Sequence, residues 1–193
     1  MKIELLAITQ DSEALIEKGA RICYDSTENP ETRKQFIQNL IKRGHLGVIE
    51  HGVATFRIEG VSRACSHQLV RSRLVSWNQR SQRYVKEKGF KYVTPPSISS
   101  NKEALKIYRE GMAYARSLYS RLLYLNIPSE DSRFVLPNAC ETELIMTANF
   151  REFRHFLKQR LDSHSQWEIR KLAHEILIKL HEQAPSVFED LLS

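Results

Sequence analysis

Apolar and polar residues alternate over positions 1–9, with Ile3, Leu5 and Ala7 set against Glu4 and Thr9, which is the period of a half-buried strand. Over 11–23 the spacing changes to that of a helix, with Ala14, Leu15, Lys18 and Ile22 on one face. Asn29-Pro30 predicts the cap and first turn of a second helix reaching about Arg43, and Gly44 ends it. The run VATFRI at 53–58 reads as a strand, 62–73 fits a helix, and SWNQRSQRY at 76–84 reads as a loop. Residues 84–94 read as extended up to the break at Pro95-Pro96. Ser100 with Glu103 predicts a capped long helix to about Leu125; Pro128 closes that unit, and a short helix containing Arg133 follows. CETELIMTA at 140–148 alternates again as a strand. Asn149 with Glu152 then caps a helix to about Leu161, and Ser165 with Glu168 caps one to about Ala184, just before Pro185. Long helices with a few non-adjacent strands predict an α+β fold with a small mixed or antiparallel sheet. No repeat, linker or low-complexity run divides the chain, so residues 1–193 are expected to form a single domain.

Composition removes several classes. With 193 residues, 41% of them hydrophobic and 27% charged, the chain can build an ordinary core, and neither a disordered, a collagen-like nor a coiled-coil chain fits. No apolar run approaches the roughly 18 residues of a membrane span, and the start lacks a signal-peptide cleavage pattern. A cytoplasmic location and no membrane partner are expected. Cys23, Cys65 and Cys140 include no CxxC pair and read as reduced, mostly buried thiols. The seven glycines form neither GxGxxG nor GxxxxGK, so a Rossmann or P-loop nucleotide site has no support.

Charge sharpens the picture further. The net charge is +6, yet the window 57–83 alone is +5, with Arg57, Arg63, Arg71, Arg73, Arg80 and Arg83 against the single acid Glu59. Every basic residue in the window is Arg, whose planar fork of donors suits phosphate, carboxylate or a polar ring edge. A geometric anion site is one reading and a solvated basic face the other.

Within 67–84 hydrogen-bonding side chains are dense. On a helix Gln68 and Arg71 would share a face, and the following loop can present Ser81 and Arg83 with free backbone N–H groups, a cradle for phosphate. Arg71 and Arg73 also fit a plain role at a helix C-terminus. Ser81 has no His and acid arranged to activate it, so a phosphate or loop hydrogen bond suits it better than nucleophilic attack. Arg151 and His155 lie at i and i+4 on one face, whereas Arg160 points roughly 140° around the helix. Asn149 fits both a helix cap and an anion contact. His164, His174 and His181 have no carboxylate or Cys at metal-ligand spacing, and no metal is expected. Tyr24, Trp77 and Trp167 read as packing residues, with Trp77 also able to border a ring. A basic segment interleaved with Trp77, Tyr84, Phe90 and Tyr92 leaves a nucleic-acid binder as a second class, marked by an affinity that falls steeply with salt.

Arg71-Ser72-Arg73, seven residues, then Ser81-Gln82-Arg83-Tyr84 resembles the signature of the flavin-dependent thymidylate synthases, except that Ser72 stands where that signature has His. The same family is resembled at Arg133-Phe134-Val135-Leu136-Pro137, at Asn149 through the run ending at Arg160, at Asp162 to Ile169, and at Gly44-His45 with Glu50-His51. The resemblance implies reductive methylation of dUMP to dTMP, with methylene-tetrahydrofolate as carbon donor and NADPH-reduced FAD as hydride source, in a homotetramer whose active sites lie between subunits. It implies dUMP at Gln68, Leu69, Val70, Arg71, Gln79, Arg80, Ser81, Gln82, Arg83, Arg133 and Arg160, with Arg160 as the activating, catalytic residue. It implies FAD at His45, Gly47, Arg71, Ser72, Arg73, Leu74, Gln79, Asn149, Arg151 and His155. The partners are then dUMP, folate and NADPH rather than nucleic acid. Loss of the imidazole at Ser72 predicts weakened flavin binding or a slowed oxidative half-reaction, and a binding protein of the same fold with diminished catalysis is the alternative.

Overall fold

A computed structural model describes residues 1–192. The elements run β1 (Lys2–Ile8), α1 (Ser12–Ile22), α2 (Arg33–Lys42), a 3-10 turn (Leu46–His51), β2 (Val53–Ser62), α3 (Arg63–Leu69) and β3 (Ser76–Gln79). They continue with α4 (Pro96–Ser99), α5 (Lys102–Tyr124), α6 (Ser129–Ser132), a 3-10 turn (Arg133–Val135), β4 (Glu141–Asn149), α7 (Phe150–Arg160), α8 (Trp167–Gln183), α9 (Pro185–Phe188) and a last 3-10 turn (Glu189–Leu191). The predicted α+β class holds, with one four-stranded sheet in the order β1-β2-β4-β3. Its pairing is antiparallel: Thr9 N–H donates to Val53 O at 2.9 Å, and the Thr55 and Thr147 hydroxyls meet at 3.0 Å. In β2 the residues Ala54, Phe56 and Ile58 are buried, and in β4 Thr142, Leu144, Met146 and Ala148, so both strands keep the period-two alternation. In the edge strand β1 only Ile3 is buried and Ala7 is exposed, because an edge strand packs less of its inner face.

Two compact units, interleaved along the chain, are built on these elements. The first comprises Met1, 59–68 and 78–144. Its core gathers Val61, Cys65, Phe90, Tyr119, Cys140 and Leu144, and Arg116 donates through Nε to Phe90 O at 3.0 Å beneath the Phe90 and Tyr92 rings. Burial pushes the Cys140 thiol up to about 12, with the nearby Glu87 carboxylate adding to the effect, so it stays a neutral packing group. Of the described residues, the second unit comprises 2–58, 69–77 and 145–192. It buries Ile16, Ile37, Phe56, Phe153, Leu172 and Phe188 among others, with edge-to-face pairs Phe56–Phe153 and Phe150–Phe188 at centroid distances of 5.5 and 5.2 Å.

Several boundaries and faces differ from the sequence expectation. In α1 the inward residues are Ile16 and Ala20, while Leu15 and Ile22 are exposed. Ion pairing decides this: Glu17, fully buried, accepts from Arg21, from Arg33 at 2.9 Å and from the Asn29 N–H at 3.0 Å, which turns that side of the helix inward. Burial penalises the Glu17 carboxylate, and those hydrogen bonds outweigh the penalty and hold it below its ordinary range. Asn29 does not cap α2; its Oδ1 accepts from Glu31 N–H in a turn, and the helix starts at Arg33. Gly44, at φ +80°, does end α2, with His45 N–H donating to Leu40 O and Gly44 N–H to Ile41 O, the paired bonds of a Schellman motif. Asn101 rather than Ser100 caps α5, accepting from Glu103 and Ala104 N–H, and Gln166 rather than Ser165 caps α8. Each substitute is one residue closer to the helix, and its side-chain oxygen reaches the same two amides.

Candidate functional site

The second unit holds a groove of about 600 Å³. Its floor begins where β4 hands over to α7. Asn149 stays extended while its Oδ1 accepts from Glu152 N–H at 2.9 Å, and Phe150 N–H donates to Gly52 O at 2.8 Å. Gly52 presses against the Phe150 ring so closely that a Cβ there has no room, and this contact seats the start of α7 on the chain that follows the Leu46–His51 turn. The groove is lined by Leu46 and Glu50 of that turn, by Leu74, and by Asn149, Arg151, Glu152, Arg154, His155 and Lys158 from α7 and its cap. Arg151 Nη1 donates to Glu50 Oε1 at 2.6 Å, tying the two walls together. His155 is exposed, with Nε2 at 3.0 Å from the Gln159 amide. Arg154 is buried and structural: it forks onto Asp190 at 2.6 and 2.7 Å and also donates to Val187 O, and it holds the Asp190 carboxyl below the usual carboxylate range.

The chemistry of this lining is definite. The positive end of an 11-residue helix dipole, with Arg151, His155 and Lys158 along the helix, favours phosphate, and Leu46 and Leu74 offer an apolar wall. Such a groove suits a phosphate-bearing ligand with a flat apolar body. Among the described residues no group of His, Cys, Asp and Glu could hold a metal ion.

The same unit contains the first half of the arginine-rich segment. The expected helix over 62–73 stops at Leu69, so Gln68 and Arg71 do not share a helical face. The chain turns instead, with Ser72 N–H donating to Leu69 O at 3.1 Å and Trp77 Nε1 donating to Ser72 O at 3.3 Å. Val70, Arg71, Arg73 and Leu74 project from this turn and are exposed; Ser72 is half-buried. Of the residues in this segment only Leu74 lines the groove. His45 and Gly47 flank Leu46 in the turn without lining it, and Arg160 ends α7 half-buried.

The first unit contains residues 67–68 and 78–84 of the segment, and Arg133. Residues 76–79, expected as loop, form β3 on the edge of the sheet, and Arg80 N–H continues the ladder to Glu143 O at 2.9 Å. Gln79 points its amide inward, donating to Ser66 Oγ at 3.0 Å and Thr142 Oγ1 at 3.1 Å. Ser81 Oγ accepts from Arg83 N–H, a loop bond of the kind its surroundings predicted. Arg83 Nε pairs with Glu130 Oε2 at 3.1 Å, and Arg133 Nε donates to Glu130 O at 3.0 Å, so one acidic residue holds both arginines. Arg80 pairs with Glu87 at 3.1 Å. Gln82 is half-buried in the same loop.

Glu50, Leu46, Lys158, Glu87 and Glu130 were not among the expected site residues. Glu87 was within reach, since carrying the charge count four residues past Arg83 finds the acid that answers Arg80. Glu50 and Glu130 lie far in sequence from Arg151 and Arg83, and only the fold pairs them. Tyr24, expected to pack, is exposed at the end of α1, and His164 does have a carboxylate neighbour, with Nδ1 at 2.9 Å from Asp162.

The family model for thymidylate synthase complementing protein matches residues 4–186. A flavin-dependent thymidylate synthase of Geobacter sulfurreducens is 43% identical, over 98% of this chain and 86% of its own. One from Clostridium tetani is 36% identical over the same shares, and one from Mycobacterium tuberculosis is 38% identical over 92% of this chain and 78% of its own. Matching nearly end to end, and carrying the groove and the arginine loop on the same chain, this protein belongs to the flavin-dependent thymidylate synthase family.

Proposed function

We propose that the protein reductively methylates dUMP to dTMP, with methylene-tetrahydrofolate as the carbon donor and NADPH as the reductant of a bound FAD. The observation that carries this reading is the groove itself. Leu74 from the arginine segment, Leu46 and Glu50 from the His45 turn, and Asn149, Arg151 and His155 from the α7 motif line one cavity, although the three motifs are far apart in sequence. The donor set fits FAD, a dinucleotide with a pyrophosphate and an apolar ring system. Arg151, His155, Asn149 and the α7 N-terminus would hold the phosphates and Leu46 and Leu74 would border the apolar part, with His45, Gly47, Arg71, Ser72 and Arg73 around it. Bound FAD supplies the hydride chemistry that no side chain can.

The remaining work falls to this chain's own side chains. Gln68, Leu69, Val70, Arg71, Gln79, Ser81–Arg83 and Arg133 would hold dUMP, guanidiniums taking the phosphate in bidentate contacts. Arg160 would sit at the pyrimidine edge. C5 of uracil is a weak nucleophile that strengthens as negative charge gathers on the N3/O4 side, and a fixed guanidinium there stabilises that charge as oxyanion-hole donors do. Residues 1–193 would act as one domain in a cytoplasmic homotetramer with sites shared between subunits. Exposed Ile107 and Tyr114 on one side of α5, with Phe134 nearby in the chain, support assembly, and no helix among the described residues is long and apolar enough to cross a membrane.

Purified protein tests the reading directly. It should carry or take up FAD, show a flavin absorbance spectrum, and lose that colour with NADPH when dUMP is present. A colourless protein that cannot be reconstituted with FAD would refute it.

A further inference from the structure

Arg80 is the one arginine of the signature loop whose partner is almost out of water. Its Nε donates to Glu87 Oε1 at 3.1 Å, and Glu87 is only 9% exposed. A carboxylate so placed is stable only with a cation and further hydrogen bonds close by. The backbone of Glu87 is held as well: its N–H donates to the hydroxyl of Tyr119 at 3.0 Å, and Tyr119 is the one α5 side chain that is fully buried. At the other end, Arg80 N–H is tied to Glu143 O in β4. Residues 80 and 87 are therefore anchored to β4 and α5 and closed on each other by an ion pair. Between them Val85 N–H returns to Ser81 O at 3.0 Å, and the loop presents Ser81, Gln82 and Arg83, with Tyr84 80% exposed.

We propose that Arg80, Glu87 and Tyr119 form a brace that pre-shapes the 81–84 loop for the nucleotide, so that Arg80 is a positioning residue and does not touch dUMP. This rests on the reading that the loop binds dUMP. A closed loop loses less conformational freedom on binding, and the brace thereby strengthens dUMP binding without adding a contact to it. Arg83, whose Nε is paired with Glu130, is the loop's guanidinium for the anion.

Equilibrium dUMP binding to the FAD-loaded protein tests this with Arg80→Ala, Glu87→Gln, Tyr119→Phe and the double variant Arg80→Ala/Glu87→Gln. Arg80→Ala and Glu87→Gln should each weaken dUMP by about tenfold, the scale of one charge-assisted hydrogen bond, and the double variant by no more than either alone. Amide exchange at 81–86 should quicken in both variants, while flavin occupancy stays at the wild-type level. Tyr119→Phe covers the case in which Glu87→Gln fails to fold, and should quicken the same amides. Arg80→Ala weakening dUMP with Glu87→Gln binding as wild type would make Arg80 a phosphate ligand and overturn the inference. Wild-type binding of dUMP by all the variants overturns it too, whereas a wild-type protein that binds no dUMP removes the functional reading beneath it.

Discussion

Ser72 stands at the centre of the arginine triplet where the family signature has an imidazole, and its backbone explains how the turn survives the change. The N–H and C=O of Ser72 are both used, by Leu69 O and by Trp77 Nε1, so the turn is held by main chain and indole and not by the residue-72 side chain. What is lost is ring area and a donor. Ser72→His should therefore raise flavin occupancy or speed dUMP-dependent NADPH oxidation severalfold, on the scale of about 1 kcal/mol for one recovered hydrogen bond; unchanged values of both would refute the assignment of Ser72 to the flavin site. A second residue-scale prediction concerns acid stability. Arg154 depresses the folded pKa of Asp190, so the pair's contribution is fully present above the unfolded Asp value of about 3.9 and is lost as pH falls through the lower folded value. Urea midpoints of wild type and Asp190→Asn should differ near neutral pH and converge as acid protonates the folded Asp190. A gap that persists in acid would show that the pair acts through packing.

At the scale of elements, the join between β4 and α7 carries the groove. Asn149 is the last residue of a strand and the cap of a helix, and Gly52 lets Phe150 close against β2's start. Asn149→Ala should cost about 1 kcal/mol of stability, the ordinary value of a helix cap, and should also weaken FAD binding. Chemical denaturation and flavin titration separate the two effects: lower stability with unaltered FAD affinity would reduce Asn149 to a cap alone. The strands and the long helices were legible because their periodicities are long and regular. Caps were less so. Ser100 and Ser165 each have Glu three residues on, yet the neighbouring Asn101 and Gln166 do the capping, since a one-residue shift leaves the pattern almost as good and the chain's entry angle chooses. The end of α3 was invisible for a related reason. Residues 70–73 contain no glycine or proline to stop a helix, and Trp77, folding back on Ser72, stops it through a tertiary bond.

At the scale of the whole molecule, the long helix α5 buries only Tyr119 completely while Ile107 and Tyr114, one heptad apart, are about 65% exposed. In the proposed tetramer that face is covered by another subunit. Ile107→Lys with Tyr114→Lys should turn a species of about four 22.5 kDa chains into smaller ones in sedimentation analysis, with flavin lost on dissociation. A wild-type monomer that retains FAD and activity would contradict shared sites. Determined by the sequence alone were the α+β class, the principal strands and helices, the concentration of charge in one arginine window and the motifs that resemble a family, because each is a local property of spacing or composition. Only the tertiary structure decided which arginines are committed. Arg83 goes to Glu130, Arg151 to Glu50 and Arg154 to Asp190. A guanidinium in sequence is only a charge; its partner is whichever carboxylate or carbonyl the packing of apolar side chains brings within about 3 Å, and no local pattern records that distance.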